Sequence, residues 1–310
     1  MTTLGHHLDD YLKLHRQLGF KFQRPSLQLP QFVRFVEQER ASYVTVELAL
    51  RWAAKPGISI TRRAVRLCMV RKFAKYLNAF DARNEIPPQR IFPYESPRRT
   101  PYLYRDKDVL CLINTARNID SPKGLDGSTY STIFGLLAVT GMRIGEALNL
   151  ECKDVDLDQN VLTLRQTKGN KSRLVPLHHS TGQVLRRYAR FRDRILPQLS
   201  SATFFVSEQG MRVTPNMVYC RYYPIARLLG LRGPAASGNA RIHDLRHRFA
   251  ISTLQKWYKS RINVDQRLPE LATYLGHVHV RDTYWYLSAT PELLKLATAR
   301  LQRRKGGRFP

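Results

Sequence analysis

Five prolines fall within residues 84–104, NEIPPQRIFPYESPRRTPYLY. Proline has no backbone N–H and a fixed φ, so it interrupts helices and the central strands of sheets. The segment therefore predicts an extended linker over residues 86–102, between an N-terminal domain over 1–85 and a larger domain over 103–310. A chain of 310 residues is long enough for two domains. We expect the two domains to close on a ligand as a clamp.

Basic charge is abundant in both predicted domains. The chain has 51 lysines and arginines against 24 acidic residues, a formal net charge of +27. Residues 1–100 contain 18 of the basic and 8 of the acidic residues, which leaves 33 and 16 for the remainder. Cations on two globular parts are typical of a protein that grips a nucleic acid from two sides, because a basic tail would concentrate them in one segment. The 43% of hydrophobic residues also suffice for an ordinary core.

The sequence argues against membrane and secreted classes. No stretch approaches the roughly 20 apolar residues of a membrane helix. The N-terminus MTTLGHHLDDYLKLHRQLGF lacks the apolar run of a signal peptide. The cysteines are widely spaced and include no CxxC pair, so we expect reduced, mostly buried thiols in a cytosolic protein. They are Cys68, Cys111, Cys152 and Cys220.

Hydrophobic spacing predicts a mainly α fold with a small antiparallel β-sheet. Apolar residues recur three and four apart across the first 85 residues, as in AVRLCMVRKFAKYL. In the larger domain, RDKDVLCLINTAR and TYSTIFGLLAVT are predicted helices, with SPKGLDGS as a loop between them. DVDLDQNVLTLRQTKGNKSRLVPLH, at 154–178, has the pattern of three antiparallel strands with turns at DQN and KGN. Lys168 then lies near a hairpin tip, where a mobile lysine is normally solvated but can also reach into a groove.

The stretch HDLRHRFA, at 243–250, places His243 and His247 on one face of a helix. An HExxH zinc site has the same histidine spacing, but here Asp244 replaces the glutamate and Arg246 stands between the histidines. A cation in that place opposes a divalent metal and favours an anionic phosphate. TGMRIGEALNL likewise places Arg143 at the start of a short helix, where unpaired N–H groups favour an anion. For Arg143 taken alone, an ordinary surface position remains the alternative.

Four stretches, in this order, resemble the tyrosine recombinase (phage integrase) family: TGMRIGEALNL, TKGNKSRLVPL, HDLRH and LGHVHVRDTYWY. The similarity covers roughly residues 100–300. It implies an N-terminal helical core-binding domain that binds DNA, and an α+β catalytic domain with a C-terminal helix and a basic tail. Together these domains would form a C-shaped clamp on DNA. The tail DTYWYLSATPELLKLATARL is similar to transposon-borne members of the family.

The resemblance implies a complete catalytic set: Arg143, Lys168, His243, Arg246, His277 and the nucleophile Tyr286. Tyr286 would attack phosphorus to form a covalent 3′-phosphotyrosine and free a 5′ hydroxyl, with no metal and no cofactor. Two guanidiniums suit the anionic transition state because each offers paired donors in a plane. Lys168 is the candidate acid for the leaving hydroxyl. His243 would accept or relay the tyrosine proton, and His277 would donate to a nonbridging oxygen.

The implied function is site-specific DNA recombination through a Holliday junction, in integration, excision or transposition. The expected partners are double-stranded DNA with specific recombination sites, further copies of the chain in a tetramer, and accessory recombinases from the same mobile element; no membrane is expected. Three alternatives stay open. They are a type IB topoisomerase with the same chemistry, a catalytically silent DNA-binding accessory protein, and a zinc hydrolase built on His243 and His247.

Several neighbouring residues have competing interpretations. The spacing after His277 favours Tyr286 over Tyr284 as the nucleophile. His247 is expected to be a packing residue on a helix face. His279 forms an HxH pair with His277, but no cysteine or carboxylate partner supports a metal site. The segment TPELLKLATARL after the nucleophile is an amphipathic helix that docks either on its own domain or on a neighbouring protomer.

Overall fold

The computed structural model describes residues 3–20, 22–93, 100–165, 172–198, 201–233, 239–260, 262–288 and 290–305. The chain divides into two compact units, Met1–Arg99 and Thr100–Pro310. The division lies within the proline-rich segment at 84–104. The DNA-binding role expected for the first unit stays a prediction.

The described part of the first unit is helical. Its helices are α1 (Thr3–Gln17), α2 (Gln23–Gln38), α3 (Val46–Ala53) and α4 (Ile60–Asn78). Their apolar faces bury Phe32, Trp52 and Phe73 in a common core. Thr45 caps the N-terminus of α3, since its side-chain oxygen accepts a hydrogen bond from the Leu48 N–H at 3.1 Å.

In the second unit, helices come before and after a small sheet along the chain. The helices are α5 (Asp106–Arg117), α6 (Leu125–Thr140), α7 (Ile144–Leu148), α8 (His179–Ile195), α9 (Pro215–Leu228), α10 (Asp244–Lys259), α11 (Val264–Leu275), α12 (Arg281–Tyr284) and α13 (Pro291–Lys305). A 3-10 turn at Trp285–Ser288 follows α12 directly. The prediction of a mainly α fold is confirmed.

The sheet is antiparallel, in the order β1-β2-β3, as predicted. Its strands are β1 (Val155–Asp156), β2 (Val161–Leu164) and β3 (Arg173–Pro176). Leu162 pairs with Val155 on one side and with Val175 on the other. Leu162 and Val175 are buried in the core of the unit, so the register is determined by the apolar positions. Lys168 lies outside the described residues, and its predicted place near the hairpin tip stays a prediction.

The prediction of a loop over SPKGLDGS was wrong for its second half, because LDGS belongs to α6. The Glu208 carboxylate accepts hydrogen bonds from the backbone N–H groups of Lys123 and Leu125, at 3.2 and 3.1 Å, and so supports the start of the helix. Gly127 lies inside α6, where a Cβ atom would stand 2.4 Å from the carbonyl oxygen of Arg117. This glycine permits close packing on α5 and is not a turn residue.

The end of α6 agrees with the prediction of a helix that stops near Gly141. Gly141 is the residue after the helix and has a φ of +61°, a conformation that favours glycine. A Cβ atom at this position would lie 2.5 Å from the Phe249 ring. The next helix, α7, begins at Ile144, so Arg143 caps its N-terminus.

The expectation of buried cysteines was wrong. Cys68, Cys111, Cys152 and Cys220 are free, but all four are exposed. On α4 the helix face that enters the core carries Leu67 and Val70, and this leaves Cys68 on the solvent side. A preference of cysteine for the interior does not decide its position where larger apolar neighbours define the buried face.

The last helix, α13, packs against α10 and the Trp285–Ser288 turn of its own chain. Leu293 on α13 is fully buried, whereas Leu294 is about half exposed. Within one chain the segment therefore docks on its own domain, and docking on a neighbouring protomer stays an open alternative. Among the helices in the described ranges, none combines the length and the apolar character needed to cross a bilayer.

Candidate active site

Arg143 is held at the start of α7 by Glu146. Its backbone N–H donates to the Glu146 carboxylate at 2.9 Å, and its Nη1 donates to the same carboxylate at 2.7 Å. The backbone contact is one half of a capping box, in which the carboxylate accepts from the N-cap N–H; an arginine side chain has no acceptor for the other half. Nη2 of Arg143 donates to the carbonyl oxygen of Gly276 at 3.0 Å, at the end of α11. The arginine side chain is therefore fixed from two elements but stays partly exposed.

A second arginine binds the same carboxylate. Arg173 on β3 donates to both oxygens of Glu146, at 3.1 and 2.8 Å, and its Nε donates to the carbonyl oxygen of Tyr274 at 2.8 Å. Burial alone would raise the pKa of Glu146, but the hydrogen bonds from Arg173 and Arg143 outweigh it and hold the pKa below its usual value. Glu146 is thus a buried carboxylate shared by two cations.

Arg246 lies in the first turn of α10 and is only 2% exposed. Its Nη1 donates to the carbonyl oxygen of Gly141 at 2.9 Å, and its Nη2 donates to that of Leu275 at 2.7 Å. Burial, and then the nearby Arg143 guanidinium, lower its pKa to about 10, so it remains a cation at neutral pH. The two predicted arginines therefore meet at the end of α11, on the consecutive carbonyls of residues 275 and 276.

Tyr286 is enclosed by this part of the unit. It lies in the 3-10 turn, is 2% exposed, and packs in a cluster with Leu254 and Leu275. Its hydroxyl is hydrogen-bonded to Nδ1 of His247 at 3.2 Å. Arg246 is close enough to the Tyr286 hydroxyl to interact with it electrostatically.

Tyr284, the alternative nucleophile, is 50% exposed, whereas Tyr286 is the tyrosine beside the histidines and Arg246. The structure thus places these two tyrosines in different environments. The choice of Tyr286 over Tyr284 as nucleophile still rests on the sequence spacing and on this proximity.

His277 packs beside Tyr286, with its ring stacked at a centroid distance of 6.2 Å. Its Nδ1 is hydrogen-bonded at 2.7 Å to the hydroxyl of Thr283, which is fully buried. Burial, and then the nearby Arg246 and Arg143 cations, lower the pKa of His277 to about 4. The ring is therefore neutral at physiological pH.

His243 and His247 both contribute rings to the site. Their centroids lie 4.9 Å apart in an edge-to-face contact, so the two side chains share one face, as the spacing of four residues predicts. His243 precedes α10 and is exposed, yet the protein packed around its ring lowers its pKa by desolvation, and the Arg246 cation lowers it further. Burial, and then His243, lower the pKa of His247 to about 4.

No group of three or more His, Cys, Asp or Glu side chains is arranged to hold a metal ion in the part of the chain that the structure describes. Of the six predicted site residues, Arg143, Arg246, His277 and Tyr286 are brought together with His243 at the N-terminus of α10. Lys168 falls in the segment 166–171, outside the described residues.

Sequence reasoning missed Glu146, Arg173 and His247. The signal for Glu146 was the spacing Arg143-x-x-Glu146 at a helix start, which is that of a capping box. Arg173 was given no role in the site, because its partner Glu146 is 27 residues away in the sequence. His247 was predicted to be a packing residue, and its hydrogen bond to the Tyr286 hydroxyl shows a polar contact that this prediction omitted.

Comparisons with known proteins show the family of the chain. A family model described as the phage integrase family matches residues 104–292. The putative integrase/recombinase y4rB of Sinorhizobium fredii is 43% identical, over 98% of this chain and 98% of its own length. The tyrosine recombinase XerD of Ralstonia nicotianae is 27% identical, over 67% of this chain and 63% of its own.

Among solved structures, the Tn1549 transposon integrase, in complex with transposon right end DNA, shares the fold with a TM-score of 0.65. It is 15% identical, and the match covers 98% of this chain and 99% of that one. The XerA recombinase has a TM-score of 0.52 at 22% identity, over 99% of this chain and 100% of its own. From the family match over its second unit and the 43% identity over nearly its full length, the chain belongs to the phage integrase family and is a tyrosine-type site-specific recombinase.

Proposed function

We propose that this recombinase cuts and rejoins DNA strands through a covalent bond between Tyr286 and a 3′ phosphate. The observation that carries the proposal is the position of the Tyr286 hydroxyl, which is hydrogen-bonded to His247 and lies beside Arg246. The tyrosine oxygen would form a bond to phosphorus while the bond from phosphorus to the 5′ oxygen breaks. The reverse reaction, with a 5′ hydroxyl from another strand as the nucleophile, would complete the exchange without ATP.

Arg143 and Arg246 would stabilise the nonbridging oxygens of the phosphate as charge develops there. Each is anchored by protein carbonyls, so the cations are in place before the reaction. The Arg143 side chain keeps exposed surface through which a phosphate can approach. Lys168 remains the proposed acid for the leaving 5′ hydroxyl, on the basis of the family resemblance.

The hydrogen bond between His277 and Thr283 constrains how His277 would act. If Nδ1 accepts the Thr283 hydroxyl proton, then Nε2 carries the ring proton and can donate to a nonbridging oxygen. Because its pKa is about 4, the neutral form is the one present at pH 7. His243, which is exposed beside Arg246, would accept or relay the proton of the attacking tyrosine.

We also propose the wider setting that the family resemblance implies. The first unit would act as a core-binding domain, and the two units would close on double-stranded DNA as a C-shaped clamp. Four protomers would hold two specific sites and exchange strands through a Holliday junction, in integration, excision or transposition, with accessory recombinases from the same element as further partners. The protein would act in the bacterial cytoplasm, associated with the nucleoid.

A phosphotyrosine trap tests the proposed chemistry. The full chain is incubated in EDTA with nicked suicide duplexes from the termini of the mobile element that carries its gene, and covalent complexes are separated on a denaturing gel. We expect an adduct that peptide mapping locates on Tyr286. Tyr286→Phe should lose the adduct and retain DNA binding, whereas the matched variant Tyr284→Phe should keep both.

Two outcomes would contradict the proposal. An adduct that persists in Tyr286→Phe would assign the nucleophile elsewhere, with Tyr284 as the next candidate. DNA binding with no adduct would favour the accessory role. In a separate assay on supercoiled plasmids that carry two sites, relaxation with no exchange between the sites would make the type IB topoisomerase alternative correct.

A further inference from the structure

A cleft of about 1000 Å³ lies between the first half of α6 and the exposed face of α8, and its lining is rich in arginine. Five arginines line it: Arg117, Arg186, Arg187, Arg190 and Arg194. Polar groups complete the wall, among them Ser128, Thr132 and Gln183, and no aspartate or glutamate lines it. The cleft therefore concentrates positive charge in one concave surface.

Many other arginines in the second unit are neutralised by a carboxylate, but these arginines are not. Arg105, Arg221 and Arg241, for example, each form an ion pair with an aspartate. Within the described residues, none of the five cleft arginines forms an ion pair. Arg186 donates to the carbonyl oxygen of Leu157, and Arg194 stands over the Phe191 ring at 5.6 Å, but neither contact supplies negative charge.

The arginines on α8 form a linear row. Arg187, Arg190 and Arg194 are separated by three and four residues, so they lie on one face and span about 10 Å at 1.5 Å per residue. One strand of a DNA duplex carries a phosphate for about every 3.4 Å of helix axis. A row of this length can therefore face two or three successive phosphates. Guanidinium groups suit them because each can donate two hydrogen bonds in a plane.

The cleft is separate from the candidate active site. Ser128 lines it in the first turn of α6, whereas the other end of α6 leads into Gly141, whose carbonyl holds Arg246. Gly141 follows Ser128 by 13 positions, which corresponds to about 20 Å of helix. A ligand in the cleft would not occupy the position beside Tyr286.

We propose that this cleft binds the phosphate backbone of duplex DNA outside the segment that the active site cuts. The inference extends the proposed function from one DNA-contacting surface to two on the same unit. The cleft is a poor contact surface for a second copy of this chain, because that copy has an excess of basic residues, 51 against 24 acidic ones. Protomers of the proposed tetramer would contact one another through other surfaces. An acidic protein segment is disfavoured because protein interfaces are usually anchored by buried aromatic or apolar side chains. In the lining of the cleft, the exposed apolar side chain is that of Val184, which is 44% exposed to solvent.

The salt dependence of DNA binding tests the proposal. The affinity of the full chain for a random-sequence duplex of about 40 bp is measured over a range of salt, and the slope of log K against log[salt] is compared between variants. Replacing Arg187, Arg190 and Arg194 by glutamine should reduce the magnitude of the slope by about 2 to 3, since each phosphate contact contributes about 0.9. A matched variant replaces Arg105, Lys153 and Arg267 by glutamine, three exposed cations of the same unit that are already in ion pairs with carboxylates. It loses the same charge but should change the slope much less.

Equal slopes for the two triple variants would overturn the proposal. A second outcome would also overturn it. If the wild type binds a labelled polyglutamate peptide, the cleft variant does not, and the DNA slope of the cleft variant equals that of the wild type, the cleft is assigned to an acidic protein. The adduct at Tyr286 is scored separately on the suicide duplex. If the wild type forms the adduct and the slope of the cleft variant is unchanged, only the proposed DNA binding by the cleft is rejected. If the wild type forms no adduct, only the proposed chemistry is rejected.

A second and independent observation concerns His247, which contacts the reacting atom of the proposed nucleophile. Its Nδ1 lies 3.2 Å from the Tyr286 hydroxyl, and the two rings pack at 5.6 Å. The Trp285 ring, at 5.4 Å, and the His243 ring also pack against His247. These contacts hold the imidazole in one orientation, with its Nδ1 edge toward the phenol.

We infer that His247, in addition to His243, orients the Tyr286 hydroxyl for attack. This inference rests on the proposed function. Asparagine places a polar atom close to the position of histidine Nδ1, glutamine places one near Nε2, and leucine fills space without a polar atom. The three substitutions therefore separate a hydrogen bond at Nδ1 from simple packing.

The rate of adduct formation is measured in a single turnover at saturating suicide duplex, together with the Kd for the same duplex. We expect His247→Asn to keep a rate within about threefold of the wild type, and His247→Gln and His247→Leu to be slower by roughly tenfold or more, all with unchanged Kd. Thermal unfolding confirms that each variant is folded. Equal rates for the three variants would reduce His247 to a packing residue. Because the wild type must first give the Tyr286 adduct, failure of the chemistry is distinguished from failure of this assignment.

Discussion

Glu146 and Arg173 form a bidentate ion pair, with distances of 3.1 and 2.8 Å, in which both side chains are almost completely removed from solvent. The same carboxylate receives the backbone N–H and the guanidinium of Arg143. A residue outside the predicted catalytic set therefore joins β3 to the start of α7. The position of a proposed catalytic arginine depends on this link.

Replacing Glu146 by glutamine should affect both stability and chemistry. The change leaves Arg173 as a buried cation without its carboxylate, and breaking such a buried pair typically costs about 3 kcal/mol or more. We expect a lower free energy of unfolding in denaturant and slower adduct formation, because Arg143 loses its anchor. The matched control is Glu270→Gln, which removes the carboxylate of the exposed pair with Arg267 and should change neither quantity appreciably. An unaltered adduct rate in Glu146→Gln would show that Arg143 does not need this anchor.

Arg246→Lys should lose most activity although it keeps the charge. Arg246 bridges the carbonyls of Gly141 and Leu275 with two different nitrogens, and a single ammonium group cannot reproduce that planar fork. We expect adduct formation to fall roughly a hundredfold, as is common when a preorganised donor is removed, with little change in DNA affinity. Arg267→Lys serves as the exposed control. A rate close to that of the wild type would remove Arg246 from the proposed chemistry.

The histidines of the site should make the protein less stable in mild acid. His247 and His277 have pKa values of about 4 in the folded protein, against an ordinary value of 6.5. Between these values the unfolded chain binds protons that the folded chain does not, so the free energy of unfolding should rise with pH from about 4 to about 6.5. Denaturant titrations across this range measure the slope. The double variant His247→Leu/His277→Leu should have a flatter slope, and an identical slope would contradict the buried, neutral state of these rings.

Gly141→Ala should destabilise the protein by about 1–3 kcal/mol, because alanine is strained at a φ of +61° and its Cβ would meet the Phe249 ring at 2.5 Å. Gly145, in the neighbouring helix α7, has open space around the corresponding position. Gly145→Ala should therefore be neutral or stabilising by about 0.5–1 kcal/mol. Melting temperatures of the two variants provide the comparison. Equal effects of the two substitutions on the melting temperature would mean that the turn at Gly141 shifts to accommodate a Cβ atom.

Local patterns predicted the elements but not all of their neighbours. The helix break at Gly141, the three-stranded sheet and the shared face of His243 and His247 follow from spacings within a few residues. The bonds from Arg143 to Gly276 and from Arg246 to Leu275 join segments more than 25 residues apart, and one sequence carries no record of such tertiary contacts.

One wrong expectation and one incomplete expectation have a similar cause. Gly127 was placed in a loop, yet its lack of a side chain serves the packing of α6 on α5. His247 does pack on a helix face, as expected, but its hydrogen-bond partner Tyr286 is 39 residues away and was not predicted. In both cases the residue type was informative, but the contact that gives it meaning depends on the fold.

The consecutive carbonyl oxygens of Leu275 and Gly276 position both proposed catalytic arginines, and they belong to the main chain. Leu275→Ala would remove a buried apolar side chain and leave its carbonyl acceptor in place, so an alanine scan would score the position as hydrophobic packing. The contribution of these acceptors becomes visible only when the peptide group itself is altered. Amide-to-ester replacement at the bonds after residues 275 and 276, introduced by semisynthesis, weakens each acceptor in turn. Sequence comparison within the family is blind in the same way, because any amino acid supplies the same carbonyl group.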